Sequence, residues 1–568
     1  MKPGFAHTPF SAGFPFVRIS ILLPLVVLLV VSTAWLIVRF RILDSDSIMY
    51  GLPLAFAKGP FSLSIPLIGD FPPYSTVWGH QWPGAMWIRG AIFSVIPFER
   101  WLDISLLLSL QVGAAFLAGY LVWSLTRGPA VAICTTLIIL SDRVLIAGLQ
   151  LHRFEALTIL ALVALIAALI KTSGGGGKGG GGRVKSEGWR VKGEGAEIQN
   201  PKSKIQNFPS KWAAVGLIAA FVAACTHPFG MAMAAGFVGM AGIDWLILRR
   251  RAAMAALIPS AGFVLGLASV GVYYFLVPGA REQFVSNVAL QNSFNEGSRL
   301  GFFTTHLRYY HWLGYPLWAA VLVSVPFVFV TLSRRRDAGA SFAAWALPLA
   351  ALAIPALFIL TRSANNSYAT LGTPFAAILV ATAVGLIHRA KHPLRRAALI
   401  GLLCFLTLGF LSVYPYRWYV FVKSGMPDFP KALQAVVNRM PEGVRVYIPP
   451  PLWEVASHDK SRDYRLYTLS IASPWTTRLA YEKKVYAEAK PGDFLVIDRV
   501  SGKTGDPWGI LPTFETRPPD PRYWKPAFES IRRIPGAGND FGYDLAVYEF
   551  LGEPWDPQST PRNSIKGR

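Results

Sequence analysis

The feature that most constrains this chain is the recurrence of long apolar stretches. An α-helix needs about 20 residues to cross a hydrocarbon core about 30 Å thick. Runs of that order recur around 19–39, 101–125, 129–148, 154–171, 212–226, 230–248, 254–277, 312–332, 341–360, 368–387 and 397–414. That spacing predicts about eleven membrane spans. The composition agrees. Hydrophobic residues make up 53% of the 568 residues and charged residues only 15%, where a soluble protein carries about 25% charge.

The net charge is +23. Most of the basic residues sit between the apolar runs, as in Arg249-Arg250-Arg251 and Arg334-Arg335-Arg336. Such clusters read as anchors on the cytoplasmic side of a membrane. No nucleic-acid motif accompanies them, so nucleic acid is not an expected partner. The three cysteines, Cys134, Cys225 and Cys404, each lie inside an apolar run and fit neither a disulfide framework nor a zinc site. Lys2 and Arg18 precede the first run, and no small-residue cleavage site follows it. It reads as a retained first helix.

The loops fix an orientation. With the N-terminus inside, the inner loops hold Arg127, the 171–211 stretch, both triple-arginine clusters, Arg389, Lys391, Arg395 and Arg396. The outer loops then hold Asp44, Asp46, Asp70, Glu155, Glu282 and Glu296. This is the positive-inside pattern, and it places everything after about Tyr414 outside the cytoplasm. The 172–210 loop contains two runs of four glycines, and its composition predicts disorder. Two outer loops are long. The first, 41–100, is rich in Pro, Gly, Trp and Phe and predicts half-helices at the membrane surface. The second runs from 278 to about 311. Beyond the last span, 428–440 reads as an amphipathic helix, and 443–449, 493–498 and 544–551 read as strands.

The expected fold is thus mainly α: a polytopic transmembrane helical bundle over 1–415, followed by a C-terminal extracytoplasmic α/β domain over 416–568 with a flexible tail.

Ionisable groups near membrane depth are costly and point to function. Four places on the outer side carry them. Asp44-Ser-Asp46 follows the first span, with Tyr50 close behind. A carboxylate at a dry membrane edge can act as a general base, and two at this spacing could hold a divalent cation such as Mg or Mn. His80-Gln-Trp82-Pro-Gly84, with Trp87, offers polar and aromatic contacts to a sugar, or an interfacial aromatic belt. His152-Arg153-Phe-Glu155 opens the fourth span, where Glu155 also suits the helix dipole. Arg362 precedes Asn365, Asn366, Ser367 and Tyr368, and an arginine there could clamp a phosphate or snorkel to headgroups.

In order and spacing these residues resemble the GT-C class of membrane glycosyltransferases, in particular the group related to protein O-mannosyltransferases and aminoarabinose transferases. The family has a run like Asp-Glu-x-x-Tyr after the first span, matched here by Asp46-Ser-Ile-Met-Tyr50 with Ser47 in place of Glu. His80-Gln-Trp-Pro83 stands where a Pro-Pro-Leu-Tyr-type run is expected, with one proline kept. Arg153-Phe-Glu155, His227-Pro228 and Arg362…Tyr368…Pro374 match later elements. The resemblance covers about 1–415. It implies a polyprenyl-phosphate-linked sugar donor and a glycan, lipid or protein acceptor at the outer face of a bacterial inner membrane. Asp46 would then be the general base, and Arg362 would stabilise the departing lipid phosphate. Glu155, Arg153 and His80 would orient sugar or acceptor, with Asp44, Tyr50, Trp82, His152 and Tyr368 lining the same substrate site. The metal requirement is left open. The competing readings are a transporter or lipid flippase, which would show internal repeats and midplane charges, an O-antigen ligase or polymerase, and a non-catalytic scaffold.

Overall fold

The computed structural model describes residues 14–39, 50–64, 82–150, 152–174, 210–248, 253–293, 313–335, 338–361, 366–387, 393–423, 425–426, 428–449, 452–466, 485–499, 518–532 and 543–554. Each of the apolar runs falls mostly on helix among the described residues. Among the described residues, seven helices are long and apolar enough to cross a membrane, or eight if one bent pair counts as a span. Val27–Arg39, Lys211–Thr226 and Pro228–Asp244 are apolar but shorter. The chain is therefore mainly helical, with the composition of a multi-pass membrane protein and a small sheet.

The bent pair is Pro129–Leu140 and Arg143–Leu149, turned by 42°. It differs from the single uninterrupted run expected over 129–148. The cause is Asp142, whose Oδ1 accepts the backbone N–H of Val144 at 2.9 Å and so starts a new helix. The break strands carbonyls in an apolar interior, and two side chains satisfy them. Gln111 Nε2 donates to the oxygens of Ile139 and Leu140 at 3.1 and 3.2 Å, and the Tyr414 hydroxyl donates to Leu140 at 2.8 Å. Non-helical backbone inside an apolar bundle is tolerated only when such partners are supplied.

One helix is central and others are peripheral. Tyr368–Ile387 is almost wholly buried inside the protein, whereas Leu257–Leu276 is mostly not buried and displays Val264, Leu265 and Phe275 outward. Leu257–Leu276 nonetheless packs closely on Ser210–Thr226. A Cβ on Gly262 or Gly266 would collide with the backbone of Leu217 or Phe221. Glycines four apart let helix backbones approach, and this is how helices associate where lipid removes the hydrophobic drive.

The two ends of the bundle differ. At one end Lys171 lies over the Tyr120 ring, Tyr120 stacks near Trp212, and Arg335 donates to the Leu125 carbonyl at 3.0 Å. Lys171 and Arg335 belong to the expected inner loops, and Tyr120, Leu125 and Trp212 to the ends of the expected spans beside them. The opposite end gathers the short helices Leu52–Ala55 and Gly84–Phe93, the 152–155 turn, His227, the 3-10 helix Asn366–Leu371 and the sheet. Gly84–Phe93 is the half-helix expected in the first long loop, but Met86, Arg89 and Phe93 are buried, so it is tucked into the protein. The second long loop opens with the helix Ala280–Ser293. Helix Glu155–Gly174 includes Thr172, which the composition had assigned to disorder. Thr172 is buried and its hydroxyl donates back to the Ala168 carbonyl at 2.8 Å, which lets the helix run on.

The helix Arg396–Lys423 likewise continues past the expected boundary near 415. Beyond it stand Phe429–Val437, capped by Asp428, and then β1 (Arg445–Ile448), the helix Trp453–His458, β2 (Asp463–Leu466), β3 (Phe494–Asp498), β4 (Trp524–Arg532) and β5 (Tyr543–Phe550). The sheet order is β2-β1-β3-β5-β4; β2, β1 and β3 are parallel, and β5 is antiparallel to β3 and β4. Period-two alternation splits its core. Tyr447, Leu495, Ile497, Ala546 and Tyr548 face one side with Trp524. Val446, Ile448, Phe494, Val496, Leu545 and Val547 face the other, where they share one apolar cluster with Phe429, Trp453, Tyr50, Leu52, Phe98 and Phe154. The sheet is thus seated on the end of the bundle that carries the candidate residues.

Candidate functional site

The site is built around a turn. The helix Arg143–Gln150 ends with His152 in the left-handed region, φ 56°. The amide of His152 donates to Leu149 at 3.2 Å and that of Arg153 to Gly148 at 3.0 Å. This is the Schellman pattern of helix termination, in which glycine usually takes the left-handed position. A histidine there carries a steric cost, and side-chain bonds offset it. Arg89 Nη1 donates to the His152 carbonyl at 2.9 Å, and His152 Nδ1 donates to Asp103 Oδ2 at 2.6 Å. Arg89 closes the network with a fork onto Asp103, through Nε at 2.8 Å to Oδ1 and through Nη2 to Oδ2. Arg89, Asp103 and His152 are at most 2% exposed. The His152 ring packs beside Phe98, at 5.8 Å, and Trp453, at 5.7 Å, and those two rings lie 6.0 Å from each other. His152 was expected among substrate contacts; the geometry has it bracing the turn and meeting the sheet segment.

The turn delivers the next three residues. Arg153 and Glu155 form a buried ion pair, with Arg153 Nε at 2.7 Å and Nη2 at 2.6 Å from Glu155 Oε1. The guanidinium sits between two rings, 5.9 Å from Tyr50 and 5.7 Å from Tyr368, where cation–π attraction adds to the pairing. Phe154 meets Tyr50 edge-on at 5.3 Å and lies 6.3 Å from His227. His227 in turn meets Tyr368 at 4.6 Å. Neighbouring helices are pinned here as well. Thr158 and Thr226 share a hydrogen bond of 2.9 Å, and Trp82 Nε1 donates to the Ala224 carbonyl at 2.7 Å. Trp82 thereby satisfies a carbonyl at the end of the helix Ser210–Thr226, where intrahelical partners run out.

Of the expected site residues, the structure thus brings together Tyr50, Arg153, Glu155 and Tyr368, with Trp82 and His152 bracing the surroundings. Asp44, Asp46, His80 and Arg362 lie outside the described residues. So does the expected cation pair. Among the described residues no group of three or more His, Cys, Asp or Glu is placed to hold a metal ion. Sequence reading missed Arg89 and Asp103. The signal was present, since each is an ionisable residue inside an apolar helix.

Chemically, the cluster offers a guanidinium, a carboxylate, an imidazole and several aromatic faces within one enclosure at the end of a helical bundle. That mixture suits a polar organic ligand with hydroxyls and apolar faces. No protein-family model matches the chain, and no curated protein matches it.

Proposed function

We propose that this chain is a membrane glycosyltransferase, moving a sugar from a polyprenyl-phosphate-linked donor to an acceptor at the outer face of a bacterial inner membrane. In this reading all eleven apolar helices cross the bilayer, the N-terminus is cytoplasmic, and the sheet-bearing C-terminal part is an outer α/β domain. The observation that supports it most is the buried Arg153–Glu155 pair walled by Tyr50, Tyr368 and Phe154. Carboxylate and guanidinium side chains bind and orient hydroxyls, and aromatic faces cover the apolar side of a sugar ring. The placement at the bundle end suits the substrate, whose tail stays in lipid while its headgroup meets the interface. Asp46 would take the acceptor proton, and Arg362 would stabilise the lipid phosphate as it leaves.

The test is transfer from a panel of polyprenyl-phosphate sugars by purified protein, with Asp46→Asn beside wild type. Loss of a general base lowers the rate by about 10²- to 10⁴-fold. Release of polyprenyl phosphate by wild type and not by the variant supports the proposal. A wild type that turns over no donor but moves lipid across a vesicle membrane replaces it with the flippase reading.

A further inference from the structure

His227 stands between the helices Ser210–Thr226 and Pro228–Leu248. Its Nδ1 accepts the backbone N–H of Phe229 at 3.0 Å. Pro228 has no N–H, so this bond supplies the first free donor of the helix with its cap. A nitrogen that accepts carries no proton, so in the neutral ring the proton is on Nε2. That Nε2 is buried and has no hydrogen-bond partner. A buried donor without a partner is costly, and native structures retain few of them.

The surroundings say what would bond it. Tyr368 and Phe154, the rings beside His227, also border the Arg153–Glu155 pair. The enclosure therefore presents the neutral His227 donor and tyrosine hydroxyls, one carboxylate, a guanidinium paired to that carboxylate, and aromatic walls. A phosphate would meet the Glu155 carboxylate unfavourably and find Arg153 engaged with it. A polyol suits the set better, giving hydroxyl protons to Glu155 and accepting from neutral donors.

We infer that His227 Nε2–H is a hydrogen-bond donor to an oxygen of the sugar bound at the Arg153–Glu155 pair, which makes His227 a sugar-positioning residue. The inference rests on the glycosyltransferase reading and deepens it by assigning the enclosure to the sugar and not to the lipid phosphate.

Two substitutions separate the roles of the two ring nitrogens. Asn places Oδ1 where Nδ1 stood, so His227→Asn keeps the cap and removes the donor. Gln places an amide near Nε2, so His227→Gln keeps a donor and removes the cap. Full-length protein in nanodiscs is assayed for melting temperature and for KM and kcat toward the lipid-linked sugar that wild type turns over. The expected result is a His227→Asn variant that melts like wild type with KM raised about ten-fold, and a His227→Gln variant that melts lower but keeps KM within a few-fold of wild type. Unchanged KM in His227→Asn overturns the inference, as does equal loss of activity and stability in both variants. If wild type transfers no sugar, the transferase reading fails separately, and thermal shift with free monosaccharides then decides. A stabilisation lost in His227→Asn upholds the donor role, and no stabilisation by any sugar overturns it.

Discussion

Two polar clusters meet at the peptide between His152 and Arg153, and they differ in what their histidines do. In the first, the Asp103 carboxylate is taken up by the Arg89 fork and the His152 ring, and Phe98 and Trp453 pack beside that ring. In the second, Arg153 and Glu155 are paired, the walls are aromatic, and the His227 ring caps a helix instead of meeting a carboxylate. Nε2 is buried without a hydrogen-bond partner in both histidines. In neutral His152, whose Nδ1 donates, that nitrogen is an acceptor; in neutral His227, whose Nδ1 accepts, it is a donor. Charges bonded to one another in a dry interior hold shape. On the proposed reading, the free donor of the second cluster is taken up by a sugar, and the difference separates a brace from a binding site, although the two share adjacent residues on one turn.

The largest effect should come from opening the closed cluster. Asp103→Asn leaves the Arg89 charge buried without its counter-ion, and removing one partner of a buried pair costs about 3–5 kcal/mol. Unfolding in detergent measures this, and a variant within about 1 kcal/mol of wild type would remove the brace from the comparison. Glu155→Gln should behave differently. The amide still accepts from Arg153, so the stability loss should be about 1–3 kcal/mol, while sugar transfer falls roughly 100-fold as the substrate loses its orientation. If Glu155→Gln is as unstable as Asp103→Asn and its residual folded fraction works normally, the two clusters are one structural unit.

A milder change tests how the sheet is held on the bundle. Arg100 Nη1 lies 3.4 Å from Glu454 Oε2, and Arg100 Nη2 donates to the Ile37 carbonyl at 3.2 Å. Arg100 is buried but also donates to the Val38 and Ile37 carbonyls, and a Gln oxygen still accepts from it, so Glu454→Gln should cost about 1 kcal/mol, seen as faster hydrogen exchange in 453–458. No change there would leave the docking to Trp453 and the apolar cluster alone.

The smallest effect is a pH dependence on the sheet side. Burial disfavours the charge of Asp459, but hydrogen bonds from Ser461, Tyr464 and Arg462 outweigh it and hold its carboxyl well below the usual carboxylate range. A depressed folded pKa contributes stability above the unfolded value of about 3.9, and that stability is lost as pH falls toward the folded value. Asp459→Asn should therefore flatten the acid side of the stability profile below about pH 5. An unchanged slope would show that other carboxylates dominate acid unfolding.

Much of this was legible before any coordinates. Apolar run length located the long helices among the described residues, because a chain in lipid must bond its own backbone and the helix is the local way to do so. Basic residues divided the loops into two sets, and the structure places Lys171 and Arg335 at one end and Arg153, His227 and Tyr368 at the other. Strands β1, β3 and β5 announced themselves as short apolar runs rich in β-branched and aromatic residues. Arg153, Glu155, Tyr50 and Tyr368 were singled out because a charged or aromatic residue at a span edge stands out against apolar sequence, and the structure brings them together.

What the sequence did not carry is whatever depends on distant pairs. Nothing local marks Arg89 as the partner of Asp103, since their meeting is decided by how a short helix folds back over a long one. The break at Asp142 hides in an apolar run because its rescue by Gln111 and Tyr414 comes from two other helices. The seat of the sheet on the bundle, through Trp453 and Phe98, is likewise a matter of packing. The sequence determined the helices and the residue types at their ends, because backbone bonding and transfer free energy act locally. Only the tertiary structure decided that the other His227 nitrogen is buried without a partner beside the Arg153–Glu155 pair, because that is settled by neighbours far away along the chain.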